Sequence, residues 1–211
     1  KKNYYGALKD QNPIKNTVSL DKNLIITGPN ASGKTTVLKA TLINILLSQQ
    51  FGCGFYSKDS ILNPFHHIHC YLNIPDTSGR DSLFQAEARR CKEIIDFIVN
   101  DKKGETHFCV FDELYSGTNP EEAESSAISF MNYLVKNKNV STILTTHYTN
   151  VCTTLESNKN IVNLNMNVAF DETNTFQYTY ILSKGISKVR GGIKVLTDLN
   201  YPKEILEKVI R

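Results

Sequence analysis

Along the chain, short continuous apolar runs alternate with stretches whose apolar residues recur every three or four positions. The run NLIIT at 23–27 shows no polar alternation, as expected of a strand covered on both faces. From Lys34 the pattern turns helical, with Val37, Leu38, Leu42, Ile45 and Leu46 along one stripe. A second helical pattern runs from Ser82 to Asn100 and aligns Phe84, Cys91, Ile94, Ile95 and Ile98. HFCVFDE at 107–113 reads as another buried strand, ending in two carboxylates, and VSTILTTH at 140–147 as a third. Between them, TNPEEAESSAISFMNYLV opens with helix-start signals: Asn119 can cap, Pro120 fits the first helical position, and Glu122 has capping-box spacing. IVNLNMNVAF and TFQYTYIL, joined by DETN, read as an antiparallel hairpin. The tail YPKEILEKVI has a proline near a helix start and an apolar stripe.

Strands alternating with helices predict an α/β domain with a mostly parallel sheet, in which a ligand sits beyond the carboxyl ends of the strands. Three polar motifs end there. Composition changes little in this picture: 211 residues suit one large domain or two small ones, and 40% hydrophobic with 21% charged residues is ordinary for a soluble globular protein. A net charge of +3 permits nucleic-acid binding without arguing for it. Cys53, Cys70, Cys91, Cys109 and Cys152 form no C-x-x-C pair, which fits reduced thiols and an intracellular location. His66, His67 and His69 are close together, but no matching Cys/His cluster accompanies them, so they read as residues of a strand or its flank rather than a metal site. No stretch approaches the roughly 20 apolar residues of a membrane span. The chain opens KKNYYG without methionine, which we take as the mark of a domain cut from a longer protein.

The first polar motif follows NLIIT directly. Gly28, four residues (Pro29, Asn30, Ala31, Ser32), then Gly33, Lys34 and Thr35 match the full phosphate-loop pattern, followed by Thr36 in the helix. Glycines let backbone N–H groups turn inward around phosphate oxygens, and the helix start adds its dipole. Lys34 is expected to reach the β- and γ-phosphates of ATP, and the Thr35 hydroxyl to complete a Mg²⁺ shell. The second motif is Asp112–Glu113, where the strand end lets both side chains reach the phosphate side. Asp112 fits a holder of Mg²⁺ through water, and Glu113 a general base or orienter of the attacking water. The third is His147, placed to donate to the γ-phosphate or to that water; the lesser alternative is a satisfied polar residue at a strand end.

The order of these parts resembles the ATPase domain of the MutS family of DNA mismatch-repair proteins. TGPN opens the phosphate loop, SGRDSLFQAE places Gly79, Ser82, Phe84 and Glu87 like the family's serine-containing segment, and FDELYSGTNPEEA and TTHY resemble its aspartate–glutamate and switch-histidine strands. YILSKGISKVRGGIKVLTDLNYPKEILEKV is similar to the family's tail, so the resemblance spans about 13–209. It implies an α/β P-loop NTPase of the ABC-like, MutS-type ATPase class, with a mostly parallel central sheet flanked by helices plus an antiparallel hairpin. Residues 1–211 would form one such domain, with a helical tail at 185–211 that serves dimerisation. Two such domains would sandwich ATP, with Ser82 contacting in trans the γ-phosphate bound by the other, and the turn Ser116–Asn119 at the same seam. A plain helix N-cap is the alternative for Ser82. For the adenine, the resemblance implies Tyr180, five residues before Gly185, and Ile14 after Pro13; core packing is the alternative for both. Ala31 and Ser32 replace the usual methionine and glycine, a change not expected to disturb phosphate binding. Ser116 stands where arginine is common, and the serine segment is one residue longer than usual. These departures mark a divergent member.

The function this implies is ATP binding and hydrolysis that closes and opens a dimer, formed with itself or a MutS-like partner. DNA would be bound by domains absent from this chain, and no membrane is involved. Two other readings share the phosphate loop. One is a different ABC-type ATPase, of a transporter or a chromosome-structure protein; the missing LSGGQ-type motif and the short separation of Lys34 from Asp112 count against it. The other is a scaffold that binds ATP only to dimerise, disfavoured because Lys34, Thr35, Asp112, Glu113 and His147 are all intact.

Overall fold

The computed structural model describes residues 1–72, 82–170, 176–189, 191–202 and 204–206. Six strands form one sheet in the order β2-β3-β4-β1-β5-β6: β1 Asn23–Thr27, β2 His67–Tyr71, β3 His107–Asp112, β4 Val140–Thr146, β5 Ile161–Phe170 and β6 Phe176–Lys184. All neighbours pair in parallel except β5 and β6, the expected hairpin. Helices accompany them: α1 Lys34–Phe51, α2 Leu83–Asn100, α3 Pro120–Leu134, α4 Thr149–Leu155 and α5 Gly192–Asp198.

The continuous apolar runs are explained by helices on both faces. Because successive side chains point to opposite sides, Leu24, Ile26, Phe108, Val110 and Ile143 face α1, where Val37, Leu38, Leu42 and Ile45 meet them. Ile25, Cys109, Phe111 and Leu144 face the other way, onto Cys91, Ile94 and Ile98 of α2, Phe130 and Met131 of α3, and Val151 and Leu155 of α4. Phe108 and Phe111 are fully buried, each contributing roughly 1.5–3 kcal/mol by leaving water. Phe111 meets Phe130 edge-on, with centroids 5.2 Å apart.

Helix α1 is covered beyond its sheet-facing stripe. Asn44 donates to the carbonyls of Tyr4 (3.1 Å) and Phe55 (3.3 Å) and accepts from Phe55 N (2.6 Å), so the N-terminal segment packs over the helix. Leu46, expected on the core stripe, instead stands 39% exposed. At α2 the N-cap is Ser82, whose hydroxyl accepts from Gln85 N while Gln85 returns the bond to Ser82 N, a reciprocal capping box. At α3, Asn119 caps as expected by accepting from Glu122 N at 3.0 Å. The Glu122 carboxylate, however, accepts from Thr118 Oγ1 at 2.5 Å, where a capping box would turn it back to the cap residue's N–H.

Strand β2 carries His67 and His69, the flank containing His66, as the sequence suggests. Helix α4 was not visible in the pattern. In the tail, the helix implied by the family resemblance is α5. Of the helix expected over 201–210, residues 204–206 are helical, while 203 and 207–210 lie outside the described residues. Among the described residues, no helix is long and apolar enough to cross a membrane.

Candidate functional site

Parallel pairing in register brings the ends of β1, β3 and β4 to one edge: Thr27 pairs with Thr146, and Asp112 with Thr145. The loop 28–33 leaves β1 at this edge and enters α1. Gly33 sits at φ 97°, a left-handed conformation that side chains resist, and a Cβ at Gly28 would lie 2.7 Å from Ser32 Oγ. Ala31 also adopts a left-handed φ of 63°, at a cost of about 1–2 kcal/mol. The Ser32 hydroxyl of the loop is buried and has no hydrogen-bond partner among the described residues.

Lys34 is only 5% exposed. Its ammonium donates to the carbonyls of Gly28 (3.0 Å) and Pro29 (3.3 Å) and lies 3.8 Å from Glu113 Oε1. Burial lowers its pKa, opposed by the charges of Glu113 and Asp112. Two carbonyl dipoles replace water poorly around a buried cation. An anion held by the loop would add to the countercharge that Glu113 supplies from 3.8 Å, so the residues present fit a polyphosphate. Beside it, Thr35 Oγ1 donates to Asp112 Oδ1 at 3.0 Å, and Thr145 Oγ1 donates to the same oxygen. This all-oxygen pair suits a hard divalent cation such as Mg²⁺.

Consecutive strand residues point to opposite faces, yet Asp112 and Glu113 both serve this edge. The reason is backbone: Glu113 leaves the strand with φ 55°, while its N–H bonds to Thr145 O at 3.0 Å. Its carboxylate then lies between Lys34 and His147, with Nδ1 of His147 3.6 Å from Oε1. The imidazole, followed by the Lys34 ammonium, holds Glu113 below the usual carboxylate range against the opposing effect of burial. An ionised carboxylate at this position can orient a water and accept its proton.

The loop separates two cavities. One, about 530 Å³, is lined by Ile14, Gly33, Thr36 and Tyr180, together with Tyr4 and Met166. The other, about 930 Å³, is lined by Gly28, Pro29, Asn30, Glu113 and His147, with Ser187 of the tail. Ile14 and Tyr180 therefore face one hollow and are half-exposed rather than part of the core. Ser82 lines neither cavity. It caps α2 beside the turn that follows Glu113, where a Cβ on Gly117 would come 2.7 Å from Phe84 N. Gly79 lies outside the described residues.

Three contributors escape local pattern reading. Thr145 bonds Asp112, Thr27 Oγ1 accepts from Ser187 N at 2.8 Å, and Glu87 accepts from Ser116 and Gly117. Only Glu87 had a signal, its place in the serine segment. Two of the three histidines do gather, with His107 of β3: His67 and His69 stack against it, and His69 Nε2 lies 3.1 Å from His107 Nδ1. Among the described residues, however, no group of three or more His, Cys, Asp or Glu side chains is arranged to hold a metal ion.

A family model described as MutS domain V matches residues 24–211. The chain belongs to the MutS family. It is 28% identical over 204 residues to the DNA mismatch repair protein MSH3 of Meyerozyma guilliermondii, covering 92% of this chain and 21% of that protein. It is 27% identical over 199 residues to the endonuclease MutS2 of Lactococcus lactis, covering 92% of this chain and 24% of that one. With the DNA mismatch repair protein MutS of Listeria monocytogenes, identity is 25% over 205 residues, or 95% and 23% of the two chains. The chain thus spans about a fifth to a quarter of the length of these relatives. In this MutS-family domain, the matched region includes Lys34, Asp112, Glu113 and His147, while Ile14 precedes it.

Proposed function

We propose that this MutS-family chain is a phosphate-loop ATPase domain that binds ATP with Mg²⁺ and hydrolyses it within a dimer. The observation that carries the reading is the meeting of Lys34, the Thr35–Asp112 pair and the Glu113–His147 pair around one glycine loop at the carboxyl edge of the sheet.

In this reading the N–H groups of residues 30–36 cradle the phosphates, aided by the N-terminus of α1. Lys34 turns from its loop carbonyls to the β- and γ-phosphates. Thr35 and Asp112 hold Mg²⁺, which neutralises phosphate charge. Glu113 orients the attacking water and takes its proton as the bond from the γ-phosphorus to its bridging oxygen breaks, leaving ADP and phosphate. His147 holds Glu113 ionised and contacts the γ-phosphate or that water. The cavity between Ile14 and Tyr180 takes the adenine. Ser82, at the helix N-terminus of α2 and outside both cavities of its own loop, reaches the γ-phosphate held by a second MutS-like chain, with the tail supporting that pairing. ATP binding closes the dimer, hydrolysis opens it, and DNA is engaged by domains outside this chain, in mismatch repair or a related transaction.

Glu113→Gln separates binding from chemistry. This variant is expected to bind ATP with affinity close to the parent, to lose at least about a hundredfold in single-turnover hydrolysis, and to accumulate dimer. Lys34→Ala is expected to weaken binding of a fluorescent ATP analogue. Parent-like hydrolysis in the first variant, or parent-like affinity in the second, would overturn the assignment.

A further inference from the structure

We propose that Asn16 is a positioning residue that locks together the two walls of the cavity beside the phosphate loop, so that affinity for the nucleoside part of a nucleotide depends on it. This rests on the nucleotide site proposed above and adds the device that shapes its base end.

Asn16 is a polar residue only 7% exposed, between the exposed Lys15 and Thr17. Its burial is explained by partners for both side-chain polar atoms and both backbone groups. The side-chain amide donates to Tyr180 O at 2.9 Å, and its oxygen accepts from Leu182 N at 2.7 Å. Its own backbone pairs in both directions with Asn3, at 3.0 and 2.7 Å, and Asn3 Nδ2 in turn donates to Thr41 Oγ1 on α1 at 3.2 Å. A single residue thus ties the N-terminal segment, which supplies Tyr4 and Ile14 to the cavity, to β6, which supplies Tyr180.

The tie falls where β6 needs it. Among the described residues β6 is the last strand of the sheet, and one side of its backbone has no neighbouring strand. The β5–β6 register shifts between Met166 and Val168, and Tyr180 takes a left-handed φ of 58°. In this conformation its ring lies so near Gly33 that a Cβ there would be 3.2 Å from Tyr180 Cδ1. An irregular edge holds such a conformation only when its backbone groups are satisfied. The Asn16 amide satisfies Tyr180 O and Leu182 N as a neighbouring strand would.

The test compares two ligands that share phosphates but not the nucleoside: Mg-ATP and Mg-tripolyphosphate, titrated calorimetrically against the chain. Asn16→Ala is expected to weaken ATP binding about tenfold through the loss of two hydrogen bonds that shape the wall, and to leave tripolyphosphate within about twofold. Tyr180→Ala should produce a similar selective loss. The double variant should bind no worse than the weaker single one, because both changes act on the same wall. If Asn16→Ala does not fold, Asn16→Asp carries the same comparison, since it keeps the size and the acceptor for Leu182 N but sets a carboxylate against Tyr180 O. Equal losses for both ligands, or no loss for either, would overturn the role of Asn16. Failure of the parent chain to bind either ligand would overturn the nucleotide site itself.

Discussion

Replacing Glu87 tests how the turn after Glu113 is held. Glu87 is 2% exposed on α2, and its two oxygens accept from Ser116 N (3.1 Å), Ser116 Oγ (2.9 Å) and Gly117 N (3.0 Å). The turn needs this support, because Glu113 and Tyr115 both have left-handed φ values, 55° and 59°; a further side-chain tie is Tyr71 OH, which accepts from Tyr115 N at 3.2 Å. A hydrogen bond to a charged acceptor contributes about 1.5–3 kcal/mol. In Glu87→Ala the exposed Ser116 hydroxyl can turn to water, so the cost falls on the two backbone N–H groups and is partly offset by no longer burying a carboxylate. We expect a loss of about 3 kcal/mol. Glu87→Gln keeps an oxygen for Ser116 but turns an NH₂ group toward Gly117 N–H, and should cost about 1–2 kcal/mol. Urea unfolding followed by far-ultraviolet circular dichroism reads both. With a slope near 2 kcal/mol/M, the alanine midpoint should fall by about 1.5 M at unchanged slope. An alanine variant within about 0.5 kcal/mol of the parent, or a glutamine variant as damaging as alanine, would refute this account of the turn.

Stability should also depend on pH through the histidines between β2 and α2. Burial, followed by the neighbouring charges of His107, His67 and Arg90, pushes His69 down to about 4, and burial lowers His107 despite the opposing hydrogen bond to Asp101. The unfolded chain therefore takes up protons at higher pH than the folded one. The contribution of His69 is full above about pH 6.5 and is lost as pH falls through about 4, a total of about 3 kcal/mol. Urea midpoints at pH 7, 5.5 and 4.5 should decline accordingly, and His69→Gln should flatten the decline; equal slopes in parent and variant would rule this cause out. For the shared site, mixing Ser82→Ala with Glu113→Gln chains should give ATP hydrolysis that differs from the sum of the two alone. Strict additivity across mixing ratios would show that each chain hydrolyses by itself.

The strands β1, β3 and β4 were legible because burial on both faces leaves unbroken apolar runs, and helices α1 to α3 because each has a stripe and a start signal. β2 was less distinct: its HIHCY is half polar, since it lies at the edge of the sheet and its histidines find partners in β3 and α2. α4 spans only seven residues, too few for a periodic pattern to repeat. Leu46 matched the stripe of α1 but points outward, because the packing of that helix is shared with the N-terminal segment.

What the sequence by itself determined were the features set by neighbours along the chain: the glycine loop between strand and helix, the caps, and the carboxylates and histidine at strand ends. The tertiary structure decided which of these meet. Thr145 reaches Asp112, Lys34 reaches Glu113, Glu87 grips the turn at 116–117, and Asn16 bridges to Tyr180 across 164 positions. The physical reason is that apolar periodicity reports only which side of an element is dry. A polar side chain is buried where a partner satisfies it, and that partner is supplied by whichever distant segment the sheet order brings alongside.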